Sequence, residues 1–325
     1  MPELIDIHRH LWAKDWFPPS HLSKFSAEGI ARASGRRMED VLERIYQSPT
    51  MEATGTGAMQ EMEHYGIDVS IIQTLDWGLR YGPEEDNEVP AEEFNWLTQE
   101  VCKKYPCKLY AMASYDPRRP KCVALFEKTV KDWGAVGLKM YPPNGYQAND
   151  PSCWPMYKKA AELNVPVLIH TGNGTQDTWP EWVEEVGRLM PEVRIILGHT
   201  NLQVPFETGA YWRGMQAVER LRNVWLDLCD WQALGAVKDE NIPELLKVIR
   251  VFINRKGADR ILWGTDLPQA GVGHVSREQT EKWVDIFKNL PEWGDRYGIK
   301  FTEEERDMLC SGAAKQCFSN IDWPS

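Results

Sequence analysis

The chain has 325 residues, with 37 lysines and arginines against 48 aspartates and glutamates, which gives a net charge of −11. This acidic balance argues against a protein whose main task is to bind nucleic acid or an anionic membrane surface. Because 42% of the residues are hydrophobic and 11% are aromatic, the chain can build a large core, and intrinsic disorder is excluded.

Two further features concern the cellular location of the protein. No apolar run approaches the roughly 20 residues that a membrane span needs, and the first residues lead into a strand-like run rather than a secretory signal. The seven cysteines include no CxxC pair, which is typical of reduced thiols rather than of a disulfide framework. We therefore expect a cytoplasmic protein.

Eight apolar runs bounded by turn residues predict eight β-strands. The runs begin near Leu4, Ile67, Lys108, Ala135, Val165, Val193, Asn223 and Arg260. From the third run to the seventh, the starts are 27, 30, 28 and 30 residues apart, and about 30 residues is the length of one βα unit. The nearly continuous apolar residues at 165–169 are what a sheet buried on both faces requires.

The segments between these runs carry helical patterns of apolar residues. Helices are predicted for residues 90–105, 124–133, 154–163, 179–190, 204–221 and 241–255. Eight strands that alternate with helices favour an α/β fold, the (β/α)8 TIM barrel, over an open doubly wound sheet. The sequence after the first strand also lacks the Gly-rich phosphate-binding turn that an open sheet would often carry.

The connection between the first and second strands is longer than one crossover helix needs. It spans residues 11–66 and begins with Trp12, Trp16, Phe17 and two prolines. We expect a distorted barrel, with this insertion folded over its mouth as a lid. Because no low-complexity linker divides the chain, residues 1–325 are predicted to form a single domain.

Polar residues lie at the carboxyl ends of five predicted strands. His8 and His10 end the first strand, and the later members are Lys139, His170, His199 and Asp266. In a barrel all carboxyl ends open onto one mouth, where active sites lie. Alternate residues of a strand face the same side, so His8 and His10 can chelate one ion. Imidazoles combined with a carboxylate suit Zn, Mn, Fe or Co.

Lys139 differs from the other members because its neighbours in the sequence are apolar. A buried ammonium group is costly, so burial and nearby metal ions would lower its pKa. The neutral amine could then capture carbon dioxide and form a carbamate, an anionic oxygen ligand able to bridge two metals. The alternative is a lysine that pairs with a carboxylate or with a substrate anion.

Residues just beyond the strand ends are candidates for substrate binding. They are Trp12, Trp77, Tyr141, Tyr146 and His274. Cys229, at the end of the seventh strand, is expected to be a small buried thiol rather than a nucleophile, because no base is assigned to it.

Together these motifs resemble the amidohydrolase superfamily, specifically its branch of small metal-dependent hydrolases and decarboxylases with a distorted TIM barrel. The resemblance is carried by residues 6–10, 137–143, 169–172, 197–199 and 263–266. It implies that His8, His10 and Asp266 hold one metal ion, that His170 and His199 hold a second, and that a carbamylated Lys139 bridges both. For members with a single ion, the resemblance implies His8, His10, His170 and Asp266 as ligands.

The resemblance admits three reactions. The main expectation is hydrolysis, in which a hydroxide held by two divalent ions (Zn, Mn or Fe) attacks an amide, ester or lactone and Asp266 accepts a proton. The first alternative is non-oxidative decarboxylation of an aromatic or unsaturated carboxylic acid at one metal. The second is oxygen activation at a dinuclear iron or manganese site. In each case we expect a small-molecule substrate, no nucleic acid or membrane partner, and a homodimer.

Overall fold

Eight parallel strands form the centre of the computed structural model, which describes residues 2–16, 27–48, 51–79, 89–172, 174–202, 204–268 and 275–323. The strands pair in sequence order, and every neighbouring pair is parallel. Their bounds confirm all eight predicted strands: β1 (Ile5–Arg9), β2 (Val69–Gln73), β3 (Leu109–Ser114), β4 (Leu138–Met140), β5 (Val167–His170), β6 (Ile195–Gly198), β7 (Val224–Asp227) and β8 (Ile261–Leu262).

Backbone hydrogen bonds between β1 and the β8 segment join the two ends of the sheet. The N–H of Ile7 donates to the carbonyl of Trp263 at 3.2 Å, and the N–H of Asp266 donates to the carbonyl of His8 at 2.7 Å. The predicted (β/α)8 TIM barrel is therefore confirmed. Two of the candidate ligands, His8 and Asp266, face each other across this closing seam.

Helices lie between the strands in the order that the periodicity predicts. Three α-helices precede β2 in the described part of the insertion, namely α1 (Glu28–Ser34), α2 (Met38–Tyr46) and α3 (Thr56–Tyr65). The helices between later strands are α4 (Ala91–Lys104), α5 (Cys122–Lys128), α6 (Trp154–Glu162), α7 (Pro180–Leu189), α8 (Tyr211–Val218) and α9 (Ile242–Lys256). A π-helical turn, Thr129–Trp133, continues α5. No helix of the described residues is long and apolar enough to cross a membrane.

The single helix predicted for residues 204–221 is wrong, because the structure divides that segment. A 3-10 turn, Phe206–Thr208, comes first, and α8 begins only at Tyr211. Between them Gly209 has a φ of 67°, a left-handed conformation that ends a helical turn. The apolar periodicity therefore continues across two separate elements.

The C-terminal segment covers the amino end of the barrel. Four described helices follow β8: α10 (Arg277–Lys288), α11 (Leu290–Arg296), α12 (Glu303–Asp307) and α13 (Ala313–Cys317). Cys317 and Phe318 pack in one buried cluster with the strand residues Ile5, Ile71 and Leu168. This apolar cluster closes the amino end of the barrel. The polar residues at the carboxyl ends of the strands therefore lie at the opposite end, the mouth of the barrel.

Part of the long insertion packs at that mouth. Val41 and Ile45 of α2 belong to one buried cluster with Trp12, Trp77 and Tyr141. A lid role for residues 11–66, and a single domain over the whole chain, remain predictions.

Candidate metal centre

The carboxyl ends of β1, β4 and β8 bring four of the predicted site residues together. Oδ1 of Asp266 lies 3.0 Å from Nε2 of His10 and 3.3 Å from Nε2 of His8. Nζ of Lys139 lies 3.0 Å from the same Nε2 of His8. One carboxylate oxygen of Asp266 therefore contacts both His8 and His10, and Lys139 lies beside His8.

The remaining two histidines lie on the adjacent side of this group. Nε2 of His199 is 3.1 Å from Nδ1 of His170. The ring centroids of His8 and His199 are 4.9 Å apart, so His199 adjoins both His8 and His170. The structure thus places all six predicted ligand residues in one cluster. Their roles as ligands remain predictions.

The donor atoms in this cluster fit a divalent transition metal. His8, His199, Cys229 and Asp266 each offer one ligand atom, and these four atoms all lie within 4.8 Å of one another. Imidazole nitrogen, thiol sulfur and carboxylate oxygen are the groups that bind zinc, iron and related ions. His10 adjoins this set through its contact with Asp266.

Two residues of the β7 end belong to the cluster although the sequence interpretation gave them no role there. Oδ2 of Asp227 lies 2.7 Å from Nδ1 of His8. Sγ of Cys229 lies 2.9 Å from the same nitrogen and 3.1 Å from Nδ1 of His199. Cys229 is buried, as predicted, but it contacts two candidate ligands. The other site residues were predicted because they are polar and lie at the carboxyl ends of strands. Asp227 is the last residue of β7, so the same criterion would have selected it.

Burial sets the charge states of the basic residues in the site. It lowers the pKa of Lys139 to about 8, against the opposing effect of the negative charge on Asp266. Burial and the neighbouring Lys139 hold the pKa of His8 well below its usual range, and burial does the same for His199. Both imidazoles are therefore neutral at pH 7, which is the form that binds a metal.

Asp266 is held in its ionised form by its neighbours. Burial alone would raise the pKa of this carboxyl group, but the hydrogen bond with His10 and the positive charge of the nearby Lys139 lower it. An ionised carboxylate can bind a metal or accept a proton.

The backbone at two candidate ligands is strained. His199 has a φ of 57° and Asp266 a φ of 61°, in the left-handed region that residues other than glycine rarely adopt. Such a conformation costs on the order of 1–3 kcal/mol and persists where the surrounding structure enforces it. Strain of this kind is concentrated at functional sites, which agrees with the placement of both residues.

Three of the predicted substrate-binding residues form an aromatic wall, defined here as Trp12, Trp77 and Tyr141. The ring of Trp12 stacks on His10 with centroids 4.5 Å apart, and Trp77 lies 5.8 Å from Trp12. Tyr141 packs edge-on against His170 at 4.9 Å. All three side chains are buried. The wall therefore contacts two candidate ligands, and a substrate role for its three residues remains a prediction.

The other two predicted substrate-binding residues differ from these three. The hydroxyl of Tyr146 accepts a hydrogen bond from the backbone N–H of Tyr141 at 2.7 Å, so Tyr146 supports the loop that carries Tyr141. His274 lies outside the described residues. A substrate role for either residue remains a prediction.

One buried ion pair and one side-chain hydrogen bond fix the loops that carry Trp77 and Tyr141. The guanidinium of Arg119 donates two hydrogen bonds to Asp76, at 2.6 and 2.7 Å. The side-chain amide of Asn144 donates to the backbone carbonyl of Asp76 at 2.8 Å. Because Asp76 precedes Trp77 and Asn144 follows Tyr141 by three positions, these bonds couple the loops after β2, β3 and β4.

Comparison with known proteins agrees with this architecture. The chain matches the Amidohydrolase family model over residues 5–319. It is 21% identical to a 2-keto-4-carboxy-3-hexenedioate hydratase of Sphingobium sp., over 99% of this chain and 98% of that protein. It is 17% identical to a 2-amino-3-carboxymuconate-6-semialdehyde decarboxylase of Dictyostelium discoideum, over 81% of each chain.

A solved structure shows the same fold. It is the 5-carboxyvanillate decarboxylase of Novosphingobium aromaticivorans, in complex with manganese and 4-hydroxy-3-methoxy-5-nitrobenzoic acid. The TM-score is 0.66, with 15% identity over 98% of this chain and 96% of that one. From the family match over nearly its whole length, we conclude that the chain belongs to the amidohydrolase family.

Proposed function

We propose that this protein is a metal-dependent enzyme that removes carbon dioxide from an aromatic or unsaturated carboxylic acid without oxidation. The observation that carries the proposal is the aromatic wall in contact with the candidate ligands, through Trp12 on His10 and Tyr141 on His170. Decarboxylases among the similar proteins favour this reaction over hydrolysis, the main expectation from the sequence.

We assign a single divalent ion to His8, His10, His170 and Asp266. The hydrogen bond between His199 and His170 supports this set, because it gives His199 a role in holding another histidine. The manganese in the similar decarboxylase makes Mn²⁺ the first ion to test. When bound, the ion would supply positive charge that orients and neutralises the oxygens of an anionic substrate.

The side chains of this protein supply positioning and proton transfer. The aromatic wall holds the conjugated system of the substrate flat, which fixes the reacting carbon beside Asp266. The carboxylate of Asp266 takes a proton from water and delivers it to the carbon that bears the carboxylate group. The bond from that carbon to the carboxylate then breaks, its electron pair returns to the conjugated system, and carbon dioxide leaves.

Lys139 has a separate part in this proposal. It is buried, and its Nζ lies next to His8, so its positive charge stands at the site that an anionic substrate would enter. We assign it to the substrate carboxylate, which is one of the two interpretations that the sequence left open.

The direct test is an activity screen of purified protein loaded with Mn²⁺. Hydroxylated benzoic acids and conjugated dienoic acids form one panel, and amides, esters and lactones form the other. We expect release of carbon dioxide from at least one acid and no turnover of the second panel. Hydrolysis of an ester, amide or lactone without carbon dioxide release would overturn the proposal.

A second candidate is hydration of a carbon–carbon double bond in an unsaturated polycarboxylic acid. It is favoured by the hydratase relative, which aligns with this chain over 98% of its length. Asp266 would again move a proton to or from carbon, while water adds to the neighbouring carbon. Mass spectrometry separates the two candidates, because hydration adds one water and decarboxylation removes carbon dioxide.

A further inference from the structure

The hydrogen bond between His8 and Asp227 fixes which nitrogen of His8 carries a proton. A neutral imidazole has one N–H, so a histidine that binds a metal through Nε2 must carry its proton on Nδ1. Nδ1 of His8 lies 2.7 Å from Oδ2 of Asp227, whose two oxygens both accept backbone N–H groups, so this carboxylate acts as the acceptor. The ammonium group of Lys139, 3.0 Å from Nε2, can only donate. Both contacts therefore place the proton of His8 on Nδ1.

His170 reaches the same carboxylate through two intermediate side chains. Nδ1 of His170 lies 3.1 Å from Nε2 of His199. Nδ1 of His199 lies 3.1 Å from Sγ of Cys229. That sulfur in turn lies 3.1 Å from Oδ2 of Asp227. Four buried groups from β5, β6 and β7 thus form one continuous chain.

Only one direction of donation satisfies every member of this chain. Asp227 accepts, so the thiol of Cys229 donates to it. The sulfur then accepts from Nδ1 of His199, which leaves Nε2 of His199 as an acceptor. His170 must therefore donate from Nδ1, which in the neutral ring leaves Nε2 without a proton.

The terminal acceptor of the chain is itself held in place. Asp227 is fully buried. The backbone N–H of His199 donates to Oδ2 of Asp227 at 3.2 Å, and the N–H of Cys229 donates to Oδ1 at 2.9 Å. These bonds fix the carboxylate in one orientation, so its contacts with the histidine rings have a defined geometry.

We propose that Asp227 and Cys229 are positioning residues that keep Nε2 of both His8 and His170 unprotonated through one shared hydrogen-bond chain. This inference rests on the metal-binding part of the proposed function and not on the reaction. Hydrogen-bond partners behind metal-ligating histidines fix the ring orientation, and their loss typically weakens metal affinity by about 10- to 100-fold.

The test uses variants of Cys229, because the chain to His170 passes through this thiol. Cys229 also lies 2.9 Å from Nδ1 of His8, but the carboxylate of Asp227, 2.7 Å from that nitrogen, remains as its acceptor when the thiol is removed. Cys229→Ala interrupts the chain, whereas Cys229→Ser restores a group that donates and accepts. Cys310→Ala, which removes a buried thiol outside the site, is the matched control. Affinities for Mn²⁺ and Zn²⁺ are measured by competition with a chromophoric chelator. The protonated ring nitrogens are identified by ¹⁵N NMR of the metal-free protein with labelled histidine, assigned with His8→Gln and His170→Gln.

We expect Cys229→Ala to bind both ions about 10- to 100-fold more weakly, with the proton of His170 no longer confined to Nδ1. Cys229→Ser and Cys310→Ala should bind like the unmodified protein, and His8 should stay protonated on Nδ1 in all three. Asp227→Asn, which removes the common acceptor, should disturb both histidines.

Unchanged affinity and unchanged His170 spectra in Cys229→Ala would overturn the inference. If the unmodified protein binds neither ion, the metal part of the proposed function fails. The spectra then decide the hydrogen-bond chain separately, since protonation of His8 or His170 on Nε2 would contradict it.

Discussion

Nε2 of His10 lies 3.0 Å from Oδ1 of Asp266, although 256 positions separate the two residues in the sequence. The seam that joins β1 to the β8 segment produces this contact, because the N–H of His10 also donates to the carbonyl of Leu267 at 2.8 Å. The N–H of Asp266 donates to the carbonyl of His8, so Asp266 contacts His8 through its backbone and both His8 and His10 through its side chain. This position allows one carboxylate to bind a metal and to transfer a proton.

Replacement of Asp266 by asparagine tests its part in proton transfer. Asparagine keeps the size and one oxygen, but it cannot accept a proton as a carboxylate does. Because general acid–base catalysis contributes about 10²- to 10⁴-fold, kcat should fall by that factor while KM changes little. Metal content and kcat are measured on the same preparation of Asp266→Asn. Full metal occupancy together with a normal kcat would remove Asp266 from the mechanism.

Lys139→Gln distinguishes the two interpretations of the buried lysine. If the ammonium binds a substrate carboxylate, the variant should keep its metal and show a KM raised by about 10-fold or more, the value of a lost charge-assisted hydrogen bond. Elemental analysis and steady-state kinetics measure both quantities. Loss of metal, with activity restored by short carboxylic acids, would instead indicate a bridging carbamate and two ions.

The aromatic wall predicts a specific effect for Trp12. Trp12→Ala removes the ring stacked on His10, and aromatic pairs contribute about 0.5–1.5 kcal/mol, so KM should rise by about 2- to 10-fold with metal content unchanged. Trp96→Ala provides the control, because the side chain of Trp96 is exposed on α4 and does not belong to the wall. Equal kinetics in the two variants would show that the wall does not contact the substrate.

The ion pair between Asp76 and Arg119 predicts a large effect on stability. Asp76 is 1% exposed, and its carboxylate accepts two hydrogen bonds from Arg119 and one each from the backbone N–H groups of Gly78 and Asp116, all of which its removal breaks. Breaking such a pair costs about 3–5 kcal/mol, and Asp76→Ala should lower the free energy of unfolding in urea by that amount. Glu100→Ala, which breaks an exposed pair with Lys103, should change the unfolding curve little. Similar shifts in both variants would show that the buried pair has no special role.

The barrel and the position of its ligand cluster could be predicted because both follow from local patterns. Apolar runs such as residues 165–169 identify strands without any knowledge of their partners. Once the barrel is accepted, its geometry brings His8 and Asp266 to one mouth. The structure confirms the eight strands and places both residues in one cluster.

Other features depend on contacts that no local pattern contains. The apolar periodicity of residues 204–221 is compatible with one helix, and only the left-handed backbone of Gly209 divides it. Cys229 has no motif around it, and its contacts with His8 and His199 arise because β7 lies between β6 and β8. The proton positions on the histidines likewise follow from three-dimensional hydrogen bonds and not from residue types.

The most direct measurement runs the reaction in deuterium oxide and determines whether the carboxylate carbon of the substrate leaves as carbon dioxide. Protein depleted of metal with a chelator is assayed on the active acid before and after addition of Mn²⁺, and the product is analysed by mass spectrometry and NMR. The proposal predicts no turnover without metal, and with metal it predicts one carbon dioxide released and one deuterium bonded to the carbon that carried the carboxylate. Full activity without metal, or a product that retains the carboxylate, would contradict it.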